Sequence, residues 1–453
     1  MVHQYKNNGY NIVLDVCSGS VHVVDDLVYD IISLYEENDK EQIIKALSQY
    51  DSADVSEAYD EVAQLVEDGT LFTDDVYKDY IIDFKKRKTV VKALCLHIAH
   101  DCNLACRYCF AGEGEYKGDR ALMSLEVAKK SLDFLVANSG LRNLEVDFFG
   151  GEPLMNWDVV KKTVEYGRSL EEKYDKKFRF TLTTNGVLLN DEIMEFANRE
   201  MANVVLSIDG RKEVHDYMRP TRNGKGSYDV ILSKFQEFAK KRAGKSYYVR
   251  GTYTHNNLDF SQDVLHMADL GFDQISVEPV VSLPDEPYAI KEEDIPVLLE
   301  QYDILAKEMI KRHKEGRGFN FFHFMIDLEG GPCVAKRLSG CGSGTEYMAV
   351  TPWGDLYPCH QFVGEDDFCI GNVFDGIKNQ DIVNEFKLCN VYAKDKCKDC
   401  FARFYCSGGC AANSYKFHGN ILDAYDIGCE LQKKRIECAI MLKAAMADEA
   451  EEE

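Results

Sequence analysis

Cys102, Cys106 and Cys109 stand in the string CNLACRYC, a CxxxCxxC array with Tyr108 just before its last cysteine. With 16 cysteines in 453 residues, about 0.02 such arrays are expected by chance, so the spacing is informative. Thiolates are soft ligands suited to iron–sulfur clusters or zinc. A [4Fe–4S] cube that only transfers electrons takes four protein ligands. Three leave one iron open, and an open iron can chelate the amino and carboxylate groups of a methionine moiety. The alternatives are zinc held by the three cysteines with His97 or His100, and plain buried cysteines. Tetrahedral zinc sites more often space their ligands as two CxxC-like pairs.

Other residues with chemical potential follow in order. Gly150-Gly151-Glu152-Pro153 joins two residues that let backbone approach a ligand to a carboxylate that can receive an amine. Ser207-Ile208-Asp209-Gly210 precedes His215, Asp216 and Arg219. Cys341, Gly354 and Cys359 form Cx12Gx4C; Cys397, Cys400, Cys406 and Cys410 form Cx2Cx5Cx3C, with Cys429 beyond. A zinc-ribbon reading of this second array stays open. Cys17, Cys95, Cys369, Cys389 and Cys438 fit no pattern and read as small buried hydrophobes.

The elements that must position these residues divide the chain. A length of 453 residues with 45% hydrophobic and 11% aromatic content suggests a globular enzyme of two or three domains. A net charge of −24 argues against nucleic acid as a partner. The absence of a long apolar run or signal-peptide core predicts no membrane association and a cytoplasmic protein, where cysteines serve as ligands rather than disulfides. Residues 1–75 read as strands His3–Lys6, Tyr10–Asp15 and Val21–Val24. Three helices follow, near Asp26–Glu37, from a capping box at Asp39 with Gln42, and from a second one at Asp54 with Glu57. This is a small winged-helix-like module, joined by a charged linker over 76–89. Strands at Val90–Ile98, Leu144–Phe149, Phe178–Thr183, Val204–Ile208, Tyr247–Thr254 and Gln274–Val281 alternate with helices such as Ser124–Asn138 and Tyr228–Ala243. They predict an α/β partial (β/α)6 barrel over 90–315 with its site at the C-terminal strand ends. A cysteine-rich domain over 316–440 and a solvated, disordered acidic tail over 441–453 complete the reading.

The CxxxCxΦC string resembles the signature of radical S-adenosylmethionine (SAM) enzymes, with Tyr108 as Φ. That resemblance implies a [4Fe–4S] cluster on Cys102, Cys106 and Cys109, and SAM held by Gly150, Gly151 and Glu152 at the methionine amine. Ser207 would contact the ribose and carboxylate region, and Arg219 the carboxylate. Thr184, Asn185 and Arg250 line the same cavity, and Val280 with the Tyr108 backbone contacts adenine. The second array resembles the SPASM domain, which carries two auxiliary [4Fe–4S] clusters. One takes Cys397, Cys400, Cys406 and Cys429. The other takes Cys341, Cys359 and Cys410, with Cys333 as fourth ligand or an open iron that binds a substrate thiolate. Sulfatase-maturing members have a basic aspartate where this chain has His360, which makes formylglycine chemistry less expected, although a histidine can also take a proton.

The amino-terminal module resembles the RiPP recognition element, which captures a leader peptide by β-augmentation. Here that means the Val21–Val24 edge, with Val28, Ile31 and Ile32 forming an apolar groove; a purely structural or oligomerisation role is the alternative. The whole chain looks most like the thioether-forming maturases of SCIFF peptides. The implied reaction is reductive SAM cleavage, removal of an α-hydrogen from a Cys-rich precursor peptide by the 5′-deoxyadenosyl radical, and closure of a sulfur-to-α-carbon bond. The electron donor would be a flavodoxin or ferredoxin. Formylglycine formation, carbon–carbon crosslinking and a non-enzymatic iron–sulfur electron carrier are the alternatives. The last needs no SAM site, so GGEP and SxDG count against it.

Overall fold

The apolar run ALCLHIAH forms strand β4 (Ala93–His100), buried along almost its whole length. Such continuous burial is what a strand covered on both faces requires. In the computed structural model, which describes residues 1–80, 90–328 and 334–452, β4 pairs in parallel with β6 (Asn143–Gly150) and antiparallel with the short β5 (Ala121–Leu122). Strands β7 (Lys177–Thr184), β8 (Met201–Ser207), β9 (Ser246–Tyr253) and β10 (Gln274–Pro279) continue the parallel sheet in chain order. Each expected strand is present within a few residues of its predicted bounds. The intervening helices start where the sequence caps them: Ser124 accepts from the Val127 amide and begins Leu125–Asn138. All six strands point the same way, so their C-terminal ends gather the cysteine loop, the Gly-Gly-Glu turn and Ser207 at one rim.

The expected border at 315/316 is not a break in the sheet. β11 (Asn320–Phe321) adds in parallel to β10. β12 (Tyr347–Val350) adds in parallel to β4, followed by the antiparallel β13 (Asp355–Tyr357), β14 (Gly371–Asn372) and β15 (Gly376–Ile377). An unpaired β4 edge beside the cysteine loop would leave backbone donors and acceptors open; β12 closes it.

Residues 1–75 form an antiparallel sheet, β1 (Val2–Asn7), β2 (Tyr10–Asp15) and β3 (Val21–Val24), and helices α1 (Asp26–Tyr35), α2 (Lys40–Ala46) and α3 (Ser52–Glu67). The Asp39–Gln42 capping box is formed. The third helix starts earlier than expected, because Asp51 rather than Asp54 is its cap, accepting from the Ala53 amide. Ile31 and Ile32 are buried in the module's own core with Val13, Val55 and Val62, so they do not line a groove. Nor is the module merely tethered. Tyr5, Ile12, Leu14 and Val16 belong to the main core, the Tyr5 hydroxyl donates to the Glu437 carbonyl at 2.9 Å, and His3 stacks on Phe401 with centroids 3.5 Å apart.

The chain is also held where the expected linker begins. Asp75 pairs with Arg403 at 3.0 Å and accepts from the Tyr392 hydroxyl, and Tyr77 packs edge-on against Phe404. Residues 81–89 lie outside the described residues. The acidic tail is corrected too. Helix Asp426–Glu452 runs through it, and Met441, Leu442 and Ala445 are buried. Apolar residues dock the early part of that segment, and the good helix formers Ala, Lys and Glu carry the helix on.

Candidate active site

Cys102, Cys106 and Cys109 sit in the loop after β4 and line one cavity at the strand C-termini. The loop is pinned from outside: the Ala105 amide donates to the Pro220 carbonyl at 2.8 Å, and the Arg107 amide to the Met218 carbonyl at 2.9 Å. Burial pushes the Cys102 thiol up to about 12 and Cys106 higher still, each further disfavoured as an anion by the neighbouring cysteines. Such thiols ionise only against a strong positive charge, such as coordinated metal. His97 and His100, the zinc candidates, turn to each other (Nδ1···Nε2 3.1 Å). Among the described residues no group of three or more His, Cys, Asp or Glu is gathered as a single metal ion requires. A four-iron cube is larger than one ion and holds its thiolates farther apart.

The turn after β6 explains its own glycines. A Cβ on Gly150 would meet the Ala99 carbonyl oxygen at 2.4 Å, and one on Gly151 would meet that of Asp101 at 2.1 Å. Only glycine lets this turn lie against the end of β4, so the pair serves close backbone packing. Glu152 is 1% exposed. Its carboxylate accepts from the Leu154 amide (3.0 Å), the Thr184 hydroxyl (2.8 Å) and the Asn185 amide (2.8 Å). Burial still raises it to about 7. Thr184 and Asn185 therefore line the cavity partly by fixing Glu152. The Asn185 side-chain nitrogen also donates to Asn103 at 2.7 Å, steadying the cysteine loop.

Asp209 is the residue whose role the sequence left unassigned. Fully buried, it accepts from the Tyr108 hydroxyl, Arg219 Nε at 3.0 Å and the Thr252 amide at 3.1 Å. The expected free fork of Arg219 is thus committed at Nε to a protein carboxylate, with the guanidinium 5.5 Å from the Tyr108 ring centroid. His215 is buried and structural: its Nδ1 accepts from the Asp209 amide at 3.2 Å, and its Nε2 faces Ser227 at 2.9 Å. Asp216 caps the next helix through the Tyr228 amide.

Ser207, Arg250 and Val280 line the same cavity, as expected. Glu278, two residues before Val280, was not anticipated; its carboxylate takes a two-point ion pair from Arg250, one arm at 3.0 Å. His360 reaches this cavity from the cysteine-rich region, with its ring between Phe110 and Phe149 at 5.5 and 5.1 Å. Burial, reinforced by Arg250, lowers it to about 4, so the imidazole is neutral at physiological pH and a weak proton acceptor.

The second array separates into two sets. Cys406 is pushed up to about 12 by burial and by Cys429, Cys397 and Cys400 around it. Cys359 is raised by burial, Cys410 and Cys341. These neighbours are those of the two sets that the resemblance implies. Cys333 lies outside the described residues. Cys17, Cys95 and Cys438 are buried as expected, but Cys389 is not a bland core residue. It shares a cavity with Cys341 and Lys394.

The cavity's donors fit an iron–sulfur cluster with SAM: three convergent cysteines, and a desolvated carboxylate to which no lysine or arginine among the described residues is bonded. Residues 96–256 match the Radical SAM superfamily. The Cysteine-type anaerobic sulfatase-maturating enzyme of Clostridium novyi is 24% identical over 333 residues, covering 69% of this chain and 86% of that protein. Among solved structures, native anSMEcpe with bound AdoMet has a TM-score of 0.64 and 21% identity, covering 78% of this chain and 99% of its own. Streptococcus suis SuiB bound to precursor peptide SuiA has a TM-score of 0.52 and 16% identity, covering 94% and 98%. The chain thus carries a radical SAM domain on a mostly parallel α/β sheet.

Proposed function

We propose that this radical SAM enzyme modifies a ribosomally made, Cys-rich peptide, forming bonds from Cys sulfur to an α-carbon. The observation that carries the reading is His360. Next to Cys359 of the auxiliary set, it lines the same cavity as Cys102, Cys106 and Cys109, so the cysteine-rich domain builds one wall of the radical site. Names of relatives agree with a peptide substrate, since a sulfatase-maturating enzyme and a complex with a precursor peptide are among them.

Cys102, Cys106 and Cys109 would hold one [4Fe–4S] cluster, and Cys397, Cys400, Cys406 and Cys429 a second. Cys341, Cys359 and Cys410 would hold a third, with Cys333 or substrate completing it. Bound together and reduced by a flavodoxin or ferredoxin, the first cluster and SAM supply a 5′-deoxyadenosyl radical. Glu152 offers a negative site for the methionine amine, and Arg219, through its arms beyond Asp209, faces the carboxylate. Ser207 and Val280 complete the nucleoside side. The Arg250–Glu278 pair and neutral His360 line the same cavity; Glu278 or His360 would take the thiol proton, and the electron released as the sulfur–carbon bond closes would pass to the third cluster. Residues 1–75 would bind the leader: β3 pairs only with β2 among the described strands, and Val23 on it is 48% exposed. No helix among the described residues is long and apolar enough to cross a membrane.

The test is anaerobic reconstitution with SAM, reductant and the Cys-rich peptide encoded beside this chain. Each crosslink should remove two hydrogens and one free thiol while retaining sulfur, and thiol reductants should not reopen it. Loss of sulfur from a Cys, as formylglycine formation requires, would overturn the thioether reading.

A further inference from the structure

Lys394 leads into the short helix Asp395–Lys398 that carries Cys397, and its side chain is only 2% exposed. Nζ donates to the Asp423 carbonyl at 3.2 Å, and the Cys389 thiol lines the same cavity. Among the described residues no carboxylate pairs with it. The nearby acids are engaged elsewhere: Asp395 with Lys398, Asp426 with Lys396, and the Asp423 side chain with Asn420. An ammonium withdrawn from water without a counter-charge is strongly unfavourable, so its position points to an anion.

The surroundings say which anion. Lys394 lines the cavity of Cys341, which belongs to one auxiliary set, and it stands three residues before Cys397 of the other. Gly408 lies between Cys406 and Cys410, again one from each set, and a Cβ added there would sit 3.9 Å from the Lys394 side chain. We infer that Lys394 is the shared counter-cation of the two auxiliary clusters, an inference that rests on the auxiliary-cluster reading above. Reduction adds one electron, hence one negative charge, to a cluster. A fixed ammonium beside both stabilises both reduced forms and raises both potentials.

The test uses full-length protein with Cys102, Cys106 and Cys109 all changed to Ala, so that only auxiliary clusters contribute. Its iron content decides the underlying reading separately: about eight irons per chain are expected for two cubes, and little iron would sink that reading itself. With iron present, Lys394→Met should shift both midpoint potentials to more negative values in a redox titration followed by electron paramagnetic resonance. Lys398→Met, at an exposed lysine on the same helix, should leave them in place. Unchanged potentials, or movement of only one, overturn the shared role. If Lys394→Met cannot retain its clusters, the metal-free proteins decide. Without iron the buried charge is a liability, so the metal-free Met variant should melt above its metal-free parent. Equal or lower melting overturns the inference.

Discussion

The Tyr108 hydroxyl donates to both carboxylate oxygens of Asp209, at 2.9 and 2.7 Å. This joins the cysteine loop to the end of β8 across 101 residues of chain. Arg219 completes the group, donating to the same carboxylate at 3.0 Å. The aromatic position of CxxxCxΦC is therefore a strut as well as a neighbour of Cys109. Tyr108→Phe should cost about 1.5–3 kcal/mol, the range for a hydrogen bond to a charged partner. Asp209→Asn leaves Arg219 buried without its counter-charge and should cost about 3–5 kcal/mol. Denaturant melts measure both; equal stability of Asp209→Asn and wild type would show that the network contributes nothing to folding.

Changing Cys102, Cys106 and Cys109 together to Ala should abolish 5′-deoxyadenosine formation and leave about two-thirds of the iron, if three four-iron cubes are present. The structure supports separability, because these cysteines line the strand-end cavity while Cys397, Cys400, Cys406 and Cys429 gather elsewhere. Iron assay and chromatography of the nucleoside read the two outcomes independently. Wild-type deoxyadenosine yields would refute the assignment.

Glu152 gives a signed pH effect in the metal-free protein. Burial raises it from 4.5 to about 7, so the folded chain binds the proton more tightly than the unfolded one. Its contribution is most favourable below pH 4.5 and is lost as pH rises to about 7. The full change is about 3 kcal/mol. Glu152→Gln removes the titration, so the wild-type-minus-variant stability should fall across that window whatever constant offset the amide adds. A flat difference curve would show that Glu152 is ionised throughout.

Leader capture is best tested without deleting residues 1–75, since that would strip Tyr5, Ile12, Leu14 and Val16 from the main core. Each such side chain contributes about 1.5–3 kcal/mol by burial. Val23→Asp, on the exposed β3 edge, should weaken precursor binding about tenfold or more while reductant-driven SAM cleavage continues. Unchanged peptide affinity in fluorescence anisotropy would remove the edge from consideration.

Much of this was legible from local spacing. Cys102, Cys106 and Cys109, four and three residues apart, are confined by chain geometry to one loop, so their grouping follows from sequence, whereas Cys406 and Cys410, equally close, face different neighbours. Strand order likewise follows from β/α alternation, and the helix start at Asp39 from its capping box. Partners of charge did not follow. The acceptors of Glu152 were already claimed by Thr184 and Asn185, 32 and 33 residues away, and Arg219 had an internal carboxylate. Cys389 left the hydrophobic class only because Cys341 and Lys394 fold against it. Residues 1–75 looked separable because no sequence pattern announces that Tyr5 meets Glu437, 432 positions on. Covalent proximity is written in the chain, whereas burial and ion pairing between distant residues exist only once the sheet has set which segments are neighbours.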